Sequence, residues 1–294
     1  MINVTLPQKV TRKAPWMVGL IGSLGKLEEF GFARVKYGPT NILPNFQRSE
    51  QMTIVEVAGK RVLIDVWDFG NNMSAFLSMQ NAPHVDLVLM IQRTREHSWP
   101  NDRGIKVLPW TMFHTEHATW LRYILTYRNR VRKTAKVYRS AFTGASRFHR
   151  RAPWVAALEH IEGVFLRTYE GSTANRVGTL DDYISMISEW SSGIILKGGC
   201  HRYTDGKNRR EVEFGGLGIP MILNYRPHYY DDLTPDKHYI YAETVEDLPG
   251  CIERANGEEG KVCAYEAGQW WSRNAGNRGI CESFMRIMHK EGIA

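Results

Sequence analysis

Residues 205–223, DGKNRREVEFGGLGIPMIL, set Lys207, Arg209, Arg210, Glu211 and Glu213 directly ahead of Gly215-Gly216-Leu217-Gly218-Ile219-Pro220. The charges fall where a helix should begin, and the apolar residues beyond them read as a buried strand. A helix start of this kind can hold phosphate, because unpaired backbone N–H groups and the helix dipole both point at it. Arginine adds a planar, bidentate fork for the phosphate oxygens. A carboxylate one helical turn from that arginine can accept hydrogen bonds from a pair of hydroxyls. Arg210 and Glu213, at i and i+3, would also suit a surface ion pair worth roughly a few tenths of a kcal/mol.

Other chemistry-bearing clusters carry less. Gly22-Ser23-Leu24-Gly25 before Lys26 resembles a phosphate loop only loosely. Five residues rather than four separate Gly19 from Gly25, and Leu27 stands where a magnesium-binding Ser or Thr belongs. His114 and His117 flank Glu116 at a spacing unlike that of a zinc protease, with no third ligand indicated. Cys200, Cys251, Cys263 and Cys281 form no CxxC pair and read as reduced, buried thiols.

The whole chain limits what these residues can serve. Its 294 residues suit one large or two medium domains, and 43% hydrophobic with 23% charged residues is an ordinary globular composition. The start has a short apolar run, Trp16–Gly22, without the pattern of a signal peptide, and no stretch reaches the length of a membrane span. A cytoplasmic protein is expected. Charge is uneven: residues 1–158 hold 23 Lys and Arg against 10 Asp and Glu, while residues 159–294 hold 15 against 21. No acidic residue lies between His117 and Leu158. The first half therefore faces something anionic.

Periodicity arranges the positioning elements. WMVGLIG (16–22) reads as a first strand, followed by a turn and a helix over KLEEFGFARVKYG. MTIVEVAG and KRVLIDVWDFG read as strands around Gly59-Lys60, with further strands in HVDLVLMIQRT and GIKVLPWTMF. Residues 116–133 read as a basic helix. A second series follows: strand AKVYRSAFTG, helix WVAALEHIEG, strand VFLRTYEG, then a helix over TLDDYISMISEWSS with Thr179 as N-cap before Asp181 and Asp182. Strand GIILKGG, helix KNRREVEFGGLG, strand IPMILN, strand HYIYAET, a helix from VEDLPGCIERANG and a final helix in RNAGNRGICESFMRIMHKEG complete it. Strands alternating with helices predict α/β layering.

Strand GIILKGG, a charged loop, Arg210-x-x-Glu213 and Gly218 before IPMIL resemble the donor half of nucleotide-sugar glycosyltransferases with the GT-B fold, in their exostosin-like and group 1 branches. YYDDLTPDKHYIYAETVEDL and KVYRSAFTGAS with HRRAPWV are similar to neighbouring segments of that half, so the likeness spans about residues 134–290. The resemblance implies two Rossmann-like domains facing a cleft: an acceptor-side domain over 1–133, a sugar-nucleotide domain over 134–275, and a helix over 276–294 closing back on the first. It implies a hexosyl- or pentosyltransferase whose donor is a nucleotide-diphosphate sugar, foremost a UDP-sugar, and which needs no metal. It assigns Lys207 and Arg210 or Arg209 to the diphosphate, Glu213 to the ribose, and Gly144 and Arg151 to the phosphate end.

An inverting transfer to a hydroxyl needs a base beside the acceptor oxygen, and in this fold the base comes from the first half. Asp68 at the end of VLIDVWDFG is the first choice and His97 in QRTREHSW the second. Asp65, Glu96, His114, Glu116 and His117 remain as alternatives. Basic and aromatic residues alternate in WLRYILTYRNRVRKTAKVYR, a pattern able to track a phosphate backbone through Arg128, Arg130, Arg132 and Lys133. DNA carrying hydroxymethylated pyrimidines, as glycosylated by phage enzymes, is the favoured acceptor, and its base would have to be flipped out of the stack. A saccharide, protein or lipid acceptor stays open, as does a non-enzymatic α/β nucleic-acid-binding protein.

Overall fold

The computed structural model describes residues 1–8, 15–38, 52–66, 82–90, 103–110, 126–145, 151–169, 179–197, 209–227, 233–274 and 276–294. They form an α/β protein with one mixed and one wholly parallel sheet.

The first sheet has the order β2-β1-β3-β4-β5-β6. Its strands are β1 (Ile2–Pro7), β2 (Ala33–Gly38), β3 (Met52–Val57), β4 (Lys60–Asp65), β5 (Leu87–Met90) and β6 (Lys106–Pro109). β3 and β4 pair antiparallel with Val57 opposite Lys60, and the two-residue turn between them has positive φ at both Ala58 and Gly59. Such a turn matches the right-handed strand twist, which fixes the register. β4, β5 and β6 run parallel, and the central β5 is buried on both faces, hence its continuous apolar sequence.

Two expectations fail in this half. The run 16–22 is not a strand but part of helix α1 (Pro15–Leu24). Met17, Leu20, Ile21 and Leu24 recur at i, i+3, i+4 and i+7 and are all buried, which is a helical face. The first strand is instead β1, with Val4 and Leu6 fully buried. The helix expected over 26–38 is also absent. Turns follow α1, Gly31 takes a left-handed φ of 76°, and the chain then enters β2, parallel to β1. The left-handed residue ends helical propagation, and β1–α1–β2 closes as a parallel unit.

The second sheet has the order β11-β10-β9-β7-β8, and all its pairings are parallel. The strands are β7 (Ser140–Ala145), β8 (Val164–Tyr169), β9 (Gly193–Ile195), β10 (Met221–Leu223) and β11 (Ile240–Tyr241). The connecting helices are α2 (Arg128–Lys133), α3 (Ala152–Leu158), α4 (Leu180–Ser188), α5 (Arg209–Leu217), α6 (Leu248–Asn256), α7 (Glu258–Asn274) and α8 (Gly276–Lys290). α7 has no counterpart in the sequence reading.

The start of α4 is as expected. Thr179 Oγ1 accepts from Asp182 N at 3.2 Å, and the Asp182 carboxylate accepts from Thr179 N at 2.8 Å, a complete capping box. Thr179→Ala is expected to lower stability by about 1 kcal/mol, read as a shift in the urea midpoint without change in slope.

α8 belongs to the core of the first sheet. Ile280, Cys281, Phe284, Ile287 and Met288 are buried with Val4, Leu6, Leu20 and Leu24. Trp110 Nε1 donates to Ser283 Oγ at 3.0 Å, and Lys106 reaches Glu291 at 2.5 Å. The last helix thus packs against residues of the first half of the chain.

Cys251, Cys263 and Cys281 are buried free thiols, and Cys200 lies outside the described residues. Burial pushes Cys263 up to about 11 and Cys281 to about 12. Because the thiolate is the reactive form, a disulfide reagent at neutral pH is expected to leave all three unmodified until the chain unfolds. Peptide mapping after native labelling checks this.

Candidate functional site

A parallel sheet binds ligands outside the carboxyl ends of its strands, at the point where the strand order reverses. Here the chain runs outward from β7 to β8 on one side, and from β9 through β10 to β11 on the other. The reversal therefore lies between β7 and β9, and the segments leaving these two strands diverge there.

The side chains gathered at that point are basic and hydroxylic. Arg151, immediately before α3, donates from Nε and Nη2 to Leu196 O just beyond β9, at 3.2 and 2.9 Å, and so straddles the reversal. Gly144, near the end of β7, gives it room. A Cβ at that position would lie 3.3 Å from Arg151 Nη1 and 2.6 Å from Phe142 Cζ. Arg210, in the first turn of α5, donates to the hydroxyl of Thr143 beside Gly144. Arg151 is brought down to about 10, first by burial and then by the charge of Arg210. It stays cationic at neutral pH. Two partly desolvated guanidiniums of like charge favour an anion between them.

Carboxylates lie on the same helix. Glu211 is fully buried and accepts from the Tyr225 hydroxyl, just beyond β10. Burial, and then the Glu211 charge, push the Tyr225 phenol well above its usual value, so it remains a donor. Glu213 is buried as well, and accepts from Tyr183 Oη of α4 at 2.6 Å. Asn224 Oδ1 accepts from Lys197 N at 2.6 Å and ties the ends of β9 and β10 together.

Of the residues singled out in the sequence, Arg210, Arg151 and Gly144 come together at the reversal point. Glu213 sits one turn along from Arg210, and the two contact different neighbours, Thr143 and Tyr183. Lys207 and the side chain of Arg209 lie outside the described residues, as do Asp68, His97, Glu96, His114, Glu116 and His117. Asp65 is the last residue of β4 and is buried.

Gly215 in the last turn of α5 and Gly218 just beyond it shape the end of that helix. Gly218 has φ 74°, its N–H reaches Gly215 O at 3.2 Å, and Ile219 N reaches Phe214 O at 2.9 Å. That is a helix C-cap. Gly215 faces Trp271, whose Cδ1 would lie 2.1 Å from an added Cβ. These glycines therefore stop α5 and seat it on α7 at the amino-terminal edge of the sheet, away from Arg210.

Arg128, Arg130, Arg132 and Lys133 lie in α2. α2 contributes Arg128 and Arg132 to a cavity that also involves Gly218 and Pro220 ahead of β10, so this basic group flanks the amino-terminal edge. Arg130 is engaged with Asp181 at 3.4 Å and Ser185 at 2.6 Å, while Arg132 and Lys133 are exposed.

Thr143, Glu211, Tyr183 and Tyr225 were not singled out as site residues by the sequence reading. Tyr225 and Thr143 each lie at the carboxyl end of a strand, which is the signal that marks them once the parallel sheet is assigned.

Among the described residues no group of three or more His, Cys, Asp or Glu could hold a metal ion. None of the described helices is long and apolar enough to cross a membrane. No family model matches the chain, and no curated protein matches it.

Proposed function

We propose that the chain is a glycosyltransferase of GT-B type that moves a sugar from a nucleotide-diphosphate sugar to a hydroxyl acceptor. The observation that carries this reading is the convergence of Arg151 and Arg210 at the reversal point of a parallel sheet, beside Thr143 and Gly144. In the transfer, the bond from the anomeric carbon to the diphosphate oxygen breaks as the acceptor oxygen bonds that carbon. Negative charge develops on the departing diphosphate. Two guanidiniums already held in a partly desolvated crevice stabilise that charge without reorganising as it forms. Glu213, which accepts from Tyr183, is the carboxylate assigned to the ribose hydroxyls, while the enclosed Glu211–Tyr225 pair holds α5 against the end of β10. The proton of the acceptor hydroxyl passes to a carboxylate or imidazole of the first half, with Asp68 and His97 as candidates and Asp65 at the end of β4 as a third.

The favoured acceptor is DNA with hydroxymethylated pyrimidines, on the strength of the basic first half. α2 lies at the opposite edge of the sheet from the donor crevice, so Arg132 and Lys133 would serve as a tether for the polymer rather than hold the reacting base.

The test is nucleotide release from UDP-, GDP- and dTDP-sugars, with and without hydroxymethylated DNA. DNA-stimulated release of one nucleotide supports both parts of the reading. Release that ignores DNA moves the acceptor to a saccharide, protein or lipid. Absence of both turnover and nucleotide binding removes the enzyme reading and leaves an α/β nucleic-acid-binding protein.

A further inference from the structure

A cavity of about 360 Å³ opens at the amino-terminal edge of the parallel sheet, where Trp190 precedes β9 and Pro220 precedes β10. Arg128, Arg132, Lys136 and Lys261 line it together with Trp190 and Tyr265, and no Asp or Glu does so among the described residues. It lies across the sheet from the donor crevice and shares no residue with it.

The cavity is built around Arg128. Its guanidinium runs past two glycines, one capping α5 and one inside α7. A Cβ at Gly268 would come 2.8 Å from Nη2, and one at Gly218 would come 3.6 Å from Nε. A side chain at residue 268 would therefore displace the arginine, although glycine inside a helix costs about 1 kcal/mol relative to alanine. Arg128 Nε and Trp190 Nε1 are both buried N–H donors without an acceptor among the described residues. Buried donors normally have partners, and each that does not calls for an explanation. Lys136 directs two of its three ammonium N–H groups to Val131 O at 2.8 Å and Ser188 O at 2.7 Å, so it contributes chiefly charge to the cavity. Lys261 holds an exposed pair with Glu258 at 2.9 Å, an interaction too weak to cancel the local field. Burial and the charge of Arg132 both bring the Arg128 guanidinium below its ordinary value, which an anion nearby would reverse.

We propose that this cavity is a second anion site, which takes a phosphate group on Arg128, Arg132 and Lys261. A phosphate supplies several strong acceptor oxygens and negative charge to a pocket that offers donors and positive charge. The proposal does not rest on the glycosyltransferase reading. The phosphate can belong to a free phosphorylated molecule or to a nucleic-acid backbone, and the chemistry of the pocket is the same for both.

The test is calorimetric titration of the full chain with inorganic pyrophosphate and, separately, with a short oligothymidylate at two salt concentrations. Arg128→Gln is expected to weaken pyrophosphate binding at this site at least about tenfold, and the surface change Lys261→Gln by about threefold. Arg210→Ala is expected to leave this component of binding in place, which separates it from any binding in the donor crevice. Oligothymidylate that competes with pyrophosphate and weakens steeply with salt identifies the phosphate as backbone. Pyrophosphate binding without oligothymidylate binding identifies a free phosphorylated ligand. Absence of pyrophosphate binding, or binding that survives both Arg128→Gln and Lys261→Gln unchanged, overturns the proposal. Lys261 projects from the surface, so its variant decides the matter even if Arg128→Gln folds poorly.

Discussion

Arg210→Ala is expected to lower sugar-nucleotide turnover by about 10²–10³-fold, in line with the loss of one preorganised donor to a developing oxyanion. The loss should fall mainly on kcat, because charge on the diphosphate grows as the bond to the sugar breaks. Arg210→Lys should recover little, since an ammonium cannot reproduce the planar fork. Arg210 is half-buried in the first turn of α5 and donates to the hydroxyl of Thr143, so its variant is also read for stability. A melting temperature close to that of the parent chain separates a catalytic loss from unfolding. Steady-state kinetics on the sugar nucleotide that the panel identifies reads the effect.

Phe214→Ala is expected to cost about 3–5 kcal/mol, the usual range for truncating a buried aromatic ring. At roughly 2–4 °C per kcal/mol for a chain of this size, the melting temperature should drop by about 6–20 °C. Phe214 is fully buried beside Gly193, where a Cβ would approach Phe214 Cε2 to 2.3 Å, and its ring meets Trp190 edge-on at 6.0 Å. It is the contact that sets α5, with Arg210, Glu211 and Glu213, onto β9. Gly193→Ala alone should destabilise by about 1–3 kcal/mol through overpacking. The double variant should cost less than the two single changes together, because the truncated ring leaves space for the new methyl. Thermal denaturation of the four proteins completes the cycle.

The elements of the second half were readable because each strand is a short apolar run bounded by Gly, Pro or a helix cap, as at Thr179-Leu180-Asp181-Asp182. The first half was harder. An apolar run such as WMVGLIG suits a buried strand or a buried helix equally, and the spacing of Met17, Leu20, Ile21 and Leu24 resolves it only when extended past Gly22. KLEEF has the composition of a helix, yet Gly31 takes a left-handed conformation and the strand beyond it is fixed by pairing with β1, a tertiary choice. α7 is masked in the sequence by Gly260 and Gly268, residues of low helix propensity. Gly268 is needed where Arg128 passes, and Gly260 where a Cβ would lie 1.9 Å from Ala255 O.

The candidate site was legible in part for a similar reason. Arg210 and Arg151 announce themselves as basic residues next to predicted strand ends. Glu211 and Tyr225 are fourteen positions apart and meet only because α5 folds back over β10. Gly218, part of the pattern on which the family resemblance rests, takes its left-handed φ to end a helix.

Titration of UDP, GDP and dTDP into the parent chain, Arg210→Ala and Arg128→Gln, followed by calorimetry, tests the central claim most directly. The donor-site account predicts a saturable component of nucleoside-diphosphate binding that Arg210→Ala weakens at least about tenfold, as expected for removing a charge-assisted bidentate contact, and that Arg128→Gln leaves in place. Binding that is the same in Arg210→Ala as in the parent, or no binding of any of the three, would contradict it.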